Sequence, residues 1–489
     1  MSSPRITNFG RNLSFTPQQV FAPHSEPELL AILDECRGRR IRTSGRLHSW
    51  SEAPVADDVL LDLRHLNQVD VERRDDKVWV TVGAGCQIKR LLSELDRQSA
   101  GTLPTLGLIT EQTIAGAIST ATHGSGRPSM SHFAEEIRVA AYDPVTGDPV
   151  IRVIRDGPEL RAARCSLGAM GVIVSVSFWA KPHYQVEEVS RRYTSIEDVL
   201  DAEADYPLQQ FYLMPWLWQY FVHHRREVSK PRGGWATLYR WYFFVTIDVM
   251  LHVNLLVLIR ILRSPRAIKF FYRFLAPRTV IENWTVVDKS QEMLVMEHEL
   301  FRHIEIEVFV TRSDVVATLD YATALLKHFD GDAAAIDPNY REQLDALGLL
   351  TELDERCGSY THHYPICVRR VLPDDTLISM TGGVAEPSYA ISFISYAKPT
   401  QRESFMKFAE LLSKSMAALF DARPHWGKVC PLTAGEATRL YPGLPEFRKI
   451  CDAADRNGVF RNDWISRTLF AEESTITCDS NAVIQPESA

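Results

Sequence analysis

The 489-residue chain is too long for one ordinary hydrophobic core and long enough for two domains with an insertion. Hydrophobic residues make up 45% of it and charged residues 24%, a balance that excludes an intrinsically disordered chain. The net charge of −8 comes from 54 basic and 62 acidic residues in no long block, so we expect no nucleic acid partner.

The cysteine and N-terminal patterns bear on metal binding and compartment. Eight cysteines are scattered without a CxxC pair or a Cys/His cluster of zinc-ligand spacing, so we expect no metal site and free thiols. Residues 1–15 lack the basic stretch and apolar core that a secretory signal needs. These patterns favour a reducing, cytoplasmic location.

The first third of the chain alternates short helix and strand patterns. Apolar residues at helical spacing predict helices over 25–39, 88–95 and 158–165. Runs rich in β-branched residues predict strands at 40–44, 59–62, 78–82, 137–142 and 150–154, with an alternating strand inside 166–178. This order indicates the α+β class, and we expect the first domain to end near residue 182.

A stretch rich in Gly, Thr and Ser runs from 102 to 126 (TLPTLGLITEQTIAGAISTATHGSG). Such small residues let backbone amides approach a ligand closely, as binding of a diphosphate requires. A GxGxxG fingerprint is absent, because 83–85 (GAG) lacks the third glycine. The sequence therefore does not support a Rossmann nicotinamide site.

Residues 183–423 predict a second domain of mixed strands and helices. Strands are expected at 210–214, 303–310, 364–371 and 389–396, and helices over 313–329 and 402–419. We expect an apolar helical insertion at 235–275 in this domain. Residues 424–489 are expected to return to the first domain.

The segment 241–262 is apolar over nearly the length of a membrane span. It contains Asp248, His252, Asn254 and Arg260, and a central Asp costs roughly 2.5–3.5 kcal/mol on insertion scales. A true span is therefore disfavoured. We expect either a buried helix or a helix in peripheral contact with a membrane.

Five short motifs, in this order, carry a resemblance to a known family. They are 45–50 (GRLHSW), 113–117 (TIAGA), 122–126 (THGSG), 166–173 (SLGAMGVI) and 423–428 (RPHWGK). Residues 15–186 resemble the vanillyl-alcohol-oxidase-type FAD-binding domain, and the rest is similar to the sugar-1,4-lactone oxidase branch. The resemblance implies a two-subdomain FAD-binding domain over 1–182 and an α+β substrate (cap) domain over 183–423.

The resemblance also implies how FAD is held. In this family the usual run is GSGHS, and its histidine often bonds covalently to the flavin 8α-methyl group. Here the histidine is His48, with Arg46 and Leu47 where small residues are common. We therefore expect FAD, attached through His48. The expected cofactor contacts are Gly45, Arg46, Leu47, His48, Ser49, Gly107, Thr113, Gly116, Ala117, Thr120, Thr122, His123, Gly124, Gly168, Gly171, Val172, Ile173, Lys428 and Asn462.

Three of these residues, and His425 beside them, have more specific expected roles. Gly107 matches a family position beside the flavin where a missing Cβ admits dioxygen, which favours an oxidase over a dehydrogenase. Lys428 of the HWxK motif should lie near the flavin N1/C2=O edge, where a cation stabilises the reduced flavin. His425 of the same motif should lie on the substrate side, and Asn462 should return the chain to the flavin domain.

The catalytic strand departs from the family pattern. Family members carry Glu-x-Arg, and the matching residues here are Cys367 and Arg369 on one face of a strand. Arg369 is expected to anchor a substrate oxygen. Three explanations of Cys367 remain open: another base (His362, His363 or His425), a Cys367 thiolate base, or a weakened paralogue.

A second pair of alternating charges occurs in the run HIEIEVFV. Its Glu305 and Glu307 share one face and could bind hydroxyl groups of a polyol, but such pairs are more often solvated edge charges. We expect solvated charges here.

The expected function is oxidation of a carbinol in a sugar-derived substrate, such as an aldono-1,4-lactone or a polyol. Hydride would pass to flavin N5, and the electrons would then pass to dioxygen or another acceptor. Two alternatives stay open: a catalytically silent flavin-binding or membrane-associated partner protein, and a dehydrogenase coupled to quinone or cytochrome. The sequence does not predict an oligomeric state.

Overall fold

The first domain contains two main sheets and four helices. The computed structural model describes residues 4–296, 301–396 and 398–471. A parallel sheet has the order Gln19–Phe21, Val59–Asp62, Ile41–Ser44, and an antiparallel sheet has the order Val69–Arg74, Lys77–Gly83, Val172–Trp179, Glu136–Tyr142, Pro149–Ile154. Shorter elements are the strand pair Ile6–Thr7 and Ser14–Phe15, the helices Glu26–Glu35, Ile88–Arg97, Ile114–Ser119 and Gly157–Ala163, and the 3₁₀ turn Met130–Phe133.

Local signals explain where these helices begin. Glu26–Glu35 starts because the Ser25 side chain accepts a hydrogen bond from the Glu28 amide, and a proline stands in the first turn. Its Leu29 and Leu33 are fully buried against the sheets. Ile114–Ser119 starts in the same way, with the Thr113 hydroxyl accepting from the Gly116 amide, so this motif is fixed at the domain surface.

The cap domain is built on one antiparallel sheet of eight strands. Its order is Thr285–Lys289, Gln185–Tyr193, Gln219–Val228, Gln210–Met214, Ile366–Val371, Ser388–Tyr396, His303–Thr311, Arg423–Pro424. Helices accompany the sheet at Ile196–Asp201, Ser290–Leu294, Val315–Phe329, Pro338–Ala346, Leu350–Glu355 and Pro399–Phe420, with a 3₁₀ turn at Ala202–Ala204. Val315–Phe329 packs its apolar side against the sheet in a second core.

The insertion is a helical hairpin on the cap domain. One long helix runs over Ala236–Leu262, with π-helical turns at Phe244–Leu251 and Leu258–Leu262. Arg263 adopts a left-handed conformation (φ +47°) that ends it, and Pro265–Phe270 begins a second helix. This second helix continues as π-helical turns over Phe271–Leu275 and a 3₁₀ turn at Ala276–Arg278.

The C-terminal segment packs on the first domain through helices Ala434–Leu440, Leu444–Ala454, Asp463–Ile465 and the π-helical Ser466–Phe470. Asn462 ties it there, since its side-chain amide donates to the carbonyls of Glu52, Ala53 and Val55. The last part of the predicted segment, 472–489, lies outside the described residues.

The fold class expected from the sequence is confirmed, and the boundary predicted at residue 182 falls between the strands Val172–Trp179 and Gln185–Tyr193. Four strands of five or more residues were not predicted: Val69–Arg74, Gln185–Tyr193, Gln219–Val228 and Thr285–Lys289. These strands contain many charged residues, several of which are buried in ion pairs, so their sequences lack the alternation of apolar and polar residues that predicts a strand.

Candidate functional site

A large cavity of about 840 Å³ lies where the two domains meet. Loops of the first domain line it along 42–50, parts of 108–123, and 167–173. The cap sheet and the N-terminal half of the helix Ala236–Leu262 form the remaining walls. This cavity therefore brings the FAD motifs and the predicted catalytic strand into one space.

One face of the cap sheet supplies much of the cavity wall. Lining residues alternate along neighbouring strands, as expected for side chains that share a face. They are Glu188 and Ser190, Phe221, His223 and Arg225, Gln210, Tyr212 and Met214, Cys367 and Arg369, Ile394, and His303, Glu305 and Glu307. Strand register thus gathers charges from across the chain.

His48 faces the cavity from its loop and is largely buried. Its ring stacks on Phe9, with centroids 4.8 Å apart, and burial lowers its pKa to about 4. The imidazole is therefore neutral at pH 7, the state required of a nucleophilic ring nitrogen. Leu47, beside it, adopts a left-handed conformation (φ +54°) and packs against a small apolar cluster, which explains how a bulky residue is accommodated there.

Most of the predicted cofactor contacts line the cavity. These are Gly45, Arg46, Leu47, His48, Ser49, Thr113, Gly116, Thr120, Thr122, His123, Gly168, Gly171, Ile173 and Lys428. The backbone at Gly168 (φ +76°) and Gly171 (φ +130°) has a conformation that side chains rarely adopt, and a Cβ on Gly171 would come within 2.6 Å of the Ala140 carbonyl. Bare backbone, a neutral histidine and a lysine are the groups that FAD needs.

Five predicted contacts do not reach this cavity: Gly107, Ala117, Gly124, Val172 and Asn462. Ala117 is buried inside its short helix, and Val172 is buried in the strand Val172–Trp179. A Cβ on Gly124 would lie 2.3 Å from the Leu106 carbonyl, so this glycine serves a close backbone approach. Asn462 does not line the cavity but supports its wall, because its side-chain amide donates a hydrogen bond to the carbonyl of Ala53, a lining residue.

The prediction that Gly107 opens the flavin edge to dioxygen is not supported by its position. Gly107 is buried and does not line the cavity. A Cβ there would lie 2.9 Å from Cγ2 of Thr122 and 3.4 Å from the His123 carbonyl oxygen. The glycine is required by packing behind the Thr122 loop, so it does not discriminate an oxidase from a dehydrogenase.

Glu307 is the centre of a buried polar cluster. Its carboxylate accepts a hydrogen bond from the Ser392 hydroxyl (2.7 Å), lies 3.3 Å from His123 Nε2, and lies 3.6 Å from Arg369 Nη1. Burial alone would raise the pKa of Glu307, but His123, Lys428 and Arg369 lower it well below its usual range. Glu307 is therefore an ionised group fixed by partners from both domains.

Glu305 occupies the neighbouring position on the same face and forms a largely buried ion pair with Lys428. The Lys428 ammonium also lies over the Trp50 ring, 4.5 Å from its centroid. The expectation that Glu305 and Glu307 are solvated edge charges is wrong. They are 4% and 1% exposed, because their shared face packs against His123 of the first domain and Lys428 of the C-terminal segment.

Hydrogen bonds define which ring nitrogen carries the proton in two cavity histidines, His425 and His303. The Gly427 amide donates to His425 Nδ1 (2.9 Å), so neutral His425 has its proton on Nε2 and offers a donor. The Phe301 carbonyl can only accept, so His303 Nδ1 donates to it (3.3 Å) and Nε2 keeps its lone pair. Burial lowers the pKa of both histidines, that of His425 to about 3.

His123, Glu307 and His425 also have the composition of a metal site, since one possible ligand atom from each lies within 4.8 Å of the others. Protein groups already engage both ring nitrogens of His123 and Nδ1 of His425. This pattern favours a hydrogen-bonded cluster over metal coordination.

The structure narrows the explanations of Cys367. The thiol is buried in the cavity wall, and burial raises its pKa despite the neighbouring Arg369, so a thiolate base is disfavoured. His362 and His363 lie outside the cavity lining, in an aromatic cluster with Tyr360 and Tyr396. The base must therefore come from other residues.

The insertion and nearby segments contribute apolar groups to the cavity wall, beside the polar Arg240, Asp248 and His252 of the same long helix. We call this region the apolar lobe and define it by Trp241, Phe244, Ile247, Leu251, Met293 and Phe301. The polar cluster is defined by His303, Glu305, Glu307, Arg369, His425 and Lys428. The same cavity therefore offers charged hydrogen-bonding groups and an extended apolar wall.

Several lining residues were not predicted from the sequence. His303 begins the strand HIEIEVFV and lies on the same face as Glu305. The alternation of side chains along this strand could have predicted that His303 lines the cavity with Glu305. Glu188 and Arg225 form a buried ion pair between strands 37 residues apart in sequence, for which no local pattern exists.

Comparison with protein families gives two matches. A model described as D-arabinono-1,4-lactone oxidase matches residues 176–468, and one described as FAD binding domain matches residues 17–142. Together they cover most of both domains.

Relatives along nearly the whole chain carry several names. A long-chain alcohol oxidase from an uncultured marine euryarchaeote is 51% identical, over 95% of this chain and 97% of its own. An L-gulono-1,4-lactone dehydrogenase from Mycobacterium tuberculosis is 26% identical, over 96% and 99%. Among solved structures, cholesterol oxidase from Brevibacterium sterolicum has a TM-score of 0.72 at 14% identity, covering 96% and 97%, which shows a shared fold.

The buried histidines predict acid sensitivity of the fold. Burial lowers the pKa of His48, His224 and His363 from 6.5 to about 4, so only the unfolded chain takes up these protons between those values. Stability is therefore present above pH 6.5 and falls as the pH drops towards 4, by on the order of 2–3 kcal/mol for each buried site. The melting temperature measured against pH should decrease steeply in this window.

A matched pair of variants isolates the contribution of a single histidine. His363→Gln should flatten the decrease between pH 6.5 and 4, whereas His24→Gln, at an exposed position, should leave it unchanged. Equal slopes for both variants would contradict the assignment.

Proposed function

Because this chain belongs to the D-arabinono-1,4-lactone oxidase family of FAD-dependent oxidoreductases, we propose that it oxidises the CH–OH group of an alcohol with a long apolar body. Its relatives act on CH–OH groups, and FAD when bound supplies the acceptor for the hydride. One observation carries the choice of substrate: the apolar lobe and the polar cluster line the same cavity. The electrons then pass to dioxygen or to another acceptor.

The apolar lobe favours a hydrocarbon chain over a sugar ring. A sugar lactone presents a hydroxyl on nearly every carbon, and a hydroxyl placed against Phe244, Ile247 or Leu251 would lose its water to an apolar side chain. A methylene chain gains about 0.8 kcal/mol for each CH₂ buried there. The relative that is 51% identical bears the name long-chain alcohol oxidase, which agrees with this choice.

A sugar-derived substrate is the second candidate. Glu305, Glu307, Arg369 and Lys428 offer charged groups for several hydroxyls, and the family model carries the name of a lactone oxidase. These side chains are largely engaged with one another, however, through the pairs Glu305–Lys428 and Glu307–Arg369. Arg369, 3.6 Å from Glu307, keeps donors for one substrate oxygen, but few other positions are left for the hydroxyls of a polyol.

A substrate panel distinguishes the two candidates. Under anaerobic conditions, primary alcohols should bleach the flavin absorbance, with the second-order rate constant of flavin reduction rising about fourfold per added methylene until the lobe is filled. L-gulono-1,4-lactone and xylitol should bleach it slowly. Bleaching by the lactone that is faster than by every aliphatic alcohol would reverse the assignment, and recovery in air compared with recovery on an added quinone identifies the acceptor.

We assign the proton acceptor to His303. Its Nε2 carries the lone pair, and the Glu305 carboxylate 4.0 Å away would stabilise the imidazolium formed when the carbinol proton arrives. Arg369 and the Nε2–H of His425 are donors, so they can hold the substrate oxygen as its proton leaves. This division of roles needs neither a Cys367 thiolate nor the carboxylate that the family has at that position.

The variant His303→Gln tests this role. It keeps a side chain of similar length but removes the base, so kcat should fall by about 10²-fold. Burial lowers the pKa of His303, so in the parent kcat should rise with pH at a pH below 6.5 as this histidine loses its proton. In the variant this rise should disappear. Stopped-flow measurement of anaerobic flavin reduction reports both effects.

His363→Gln is the matched control, because His363 is buried outside the cavity. It should leave the reduction rate and its pH dependence as in the parent. A His303→Gln enzyme that reduces within twofold of the parent rate would rule out the role of His303.

Covalent attachment through His48 belongs to the same proposal. Neutral His48 faces the cavity from the loop that the family uses for attachment, which supports the linkage. A denaturing gel of the parent should show flavin fluorescence at the protein band, and His48→Ala should lose it while still binding FAD. His65→Ala, at an exposed position, should keep the fluorescent band. A parent band without fluorescence would mean that FAD is held without a covalent bond.

A further inference from the structure

The insertion exposes most of the large apolar side chains that the protein presents to solvent. Of the seventeen exposed large apolar residues in the described part of the chain, twelve lie within residues 235–275. Soluble proteins rarely leave apolar side chains so concentrated without a partner. We define the apolar patch by Val253, Val257, Ile261, Leu262, Phe270 and Phe274.

The patch lies on the outer side of the helical hairpin. Exposed residues recur along Ala236–Leu262 at intervals of three to five, whereas Tyr239, Leu255 and Leu258 are buried on the cap domain. In the second helix, the exposed rings of Phe270 and Phe274 contact each other at a tilt of 41°, with centroids 5.0 Å apart. The hairpin is thus anchored on one side and apolar towards solvent on the other.

The charge of the hairpin is opposite to that of the protein. Residues 229–281 contain nine Lys or Arg and one acidic residue, Asp248, although the whole chain has a net charge of −8. Arg263, Arg266, Arg273 and Arg278 are exposed, and within the described residues none of them forms an ion pair. Basic side chains around an apolar surface match a membrane with anionic headgroups.

We propose that this patch docks on the surface of an anionic phospholipid bilayer and places the cavity mouth at the lipid. Thr237 and Trp241 are exposed and also line the cavity, so the cavity reaches the surface along the same helix. An alcohol dissolved in the bilayer could enter there without crossing water. The docking does not depend on the proposed substrate, although the delivery of an alcohol rests on it.

A helix that crosses the bilayer is incompatible with the packing of this segment. Ala236–Leu262 is long and apolar enough to span a membrane by length and composition. Its Arg240, Asp248 and His252 nevertheless line the cavity, and His252 lies 3.0 Å from the Tyr396 hydroxyl of the cap sheet. Crossing the bilayer would pull these groups from the protein and remove a cavity wall.

Vesicle binding by the FAD-loaded protein, without substrate, tests the docking. The parent should sediment with phosphatidylcholine vesicles that contain phosphatidylglycerol, and less with phosphatidylcholine alone. The double variant Ile261→Asp/Phe274→Asp should bind at least tenfold more weakly, because two large side chains can no longer enter the lipid. The matched control Val145→Asp/Leu347→Asp, at exposed apolar positions outside the insertion, should bind like the parent.

Charge and mode of attachment are tested separately. Arg263→Gln/Arg266→Gln/Arg273→Gln should weaken binding to the anionic vesicles about fivefold for each charge removed. Alkaline carbonate should release the bound parent, as expected for surface docking, and retention through carbonate washing would overturn it in favour of a span. Failure of the parent to bind vesicles would also overturn the docking proposal. So would sedimentation velocity that shows a dimer formed through the apolar patch, if this dimer binds no vesicles.

Because vesicle binding is measured without turnover, its outcome is independent of the substrate panel. If the protein binds vesicles but prefers sugar lactones, the docking proposal stands and the proposed long-chain substrate is wrong. If the protein oxidises long-chain alcohols but does not bind vesicles, the proposed substrate stands and the docking proposal is wrong.

Discussion

The buried carboxylate of Glu307 is the constraint on which the rest of the site depends. Burying an ionised carboxylate costs several kcal/mol unless cations and donors surround it. Here Arg369 and Ser392 come from the cap sheet, whereas His123 comes from an FAD-domain loop. The contact between His123 and Glu307 therefore stabilises the buried charge and also joins the two domains. The same residues line the cavity and form the contact between the domains.

The register of the cap sheet explains how the site tolerates Cys367. Cys367 pairs with Ser392, and Ser392 pairs with Glu307, so a carboxylate lies on the same face two strands away. The thiol leaves Arg369 facing that carboxylate, with 3.6 Å between the closest atoms. Loss of the family glutamate thus leaves a charged cluster in place, while His303 offers the lone pair that neither Cys367 nor His425 provides.

The sequence predicted elements and motifs well where local pattern decides them. Val59–Asp62 and Gln210–Met214 have the predicted bounds, because β-branched and aromatic runs fix both. It failed where burial depends on distant partners. Glu305 and Glu307 resemble solvated charges until His123 and Lys428 cover their face, and Gly107 resembles a cavity residue until Thr122 packs against it. Such contacts join residues 15 or more positions apart and leave no local signal.

The helix Ala236–Leu262 reverses the usual amphipathic arrangement of a soluble protein. Its charged Arg240 and Asp248 line the cavity, and its apolar side faces outward, so hydropathy alone cannot distinguish a span from a surface helix. This reversal links the two proposals physically. Transfer of an alkyl chain from lipid to the apolar lobe exchanges one apolar environment for another and changes its free energy little. Discrimination among membrane-dissolved alcohols would then fall to the polar cluster, where the carbinol must meet His303 and Arg369.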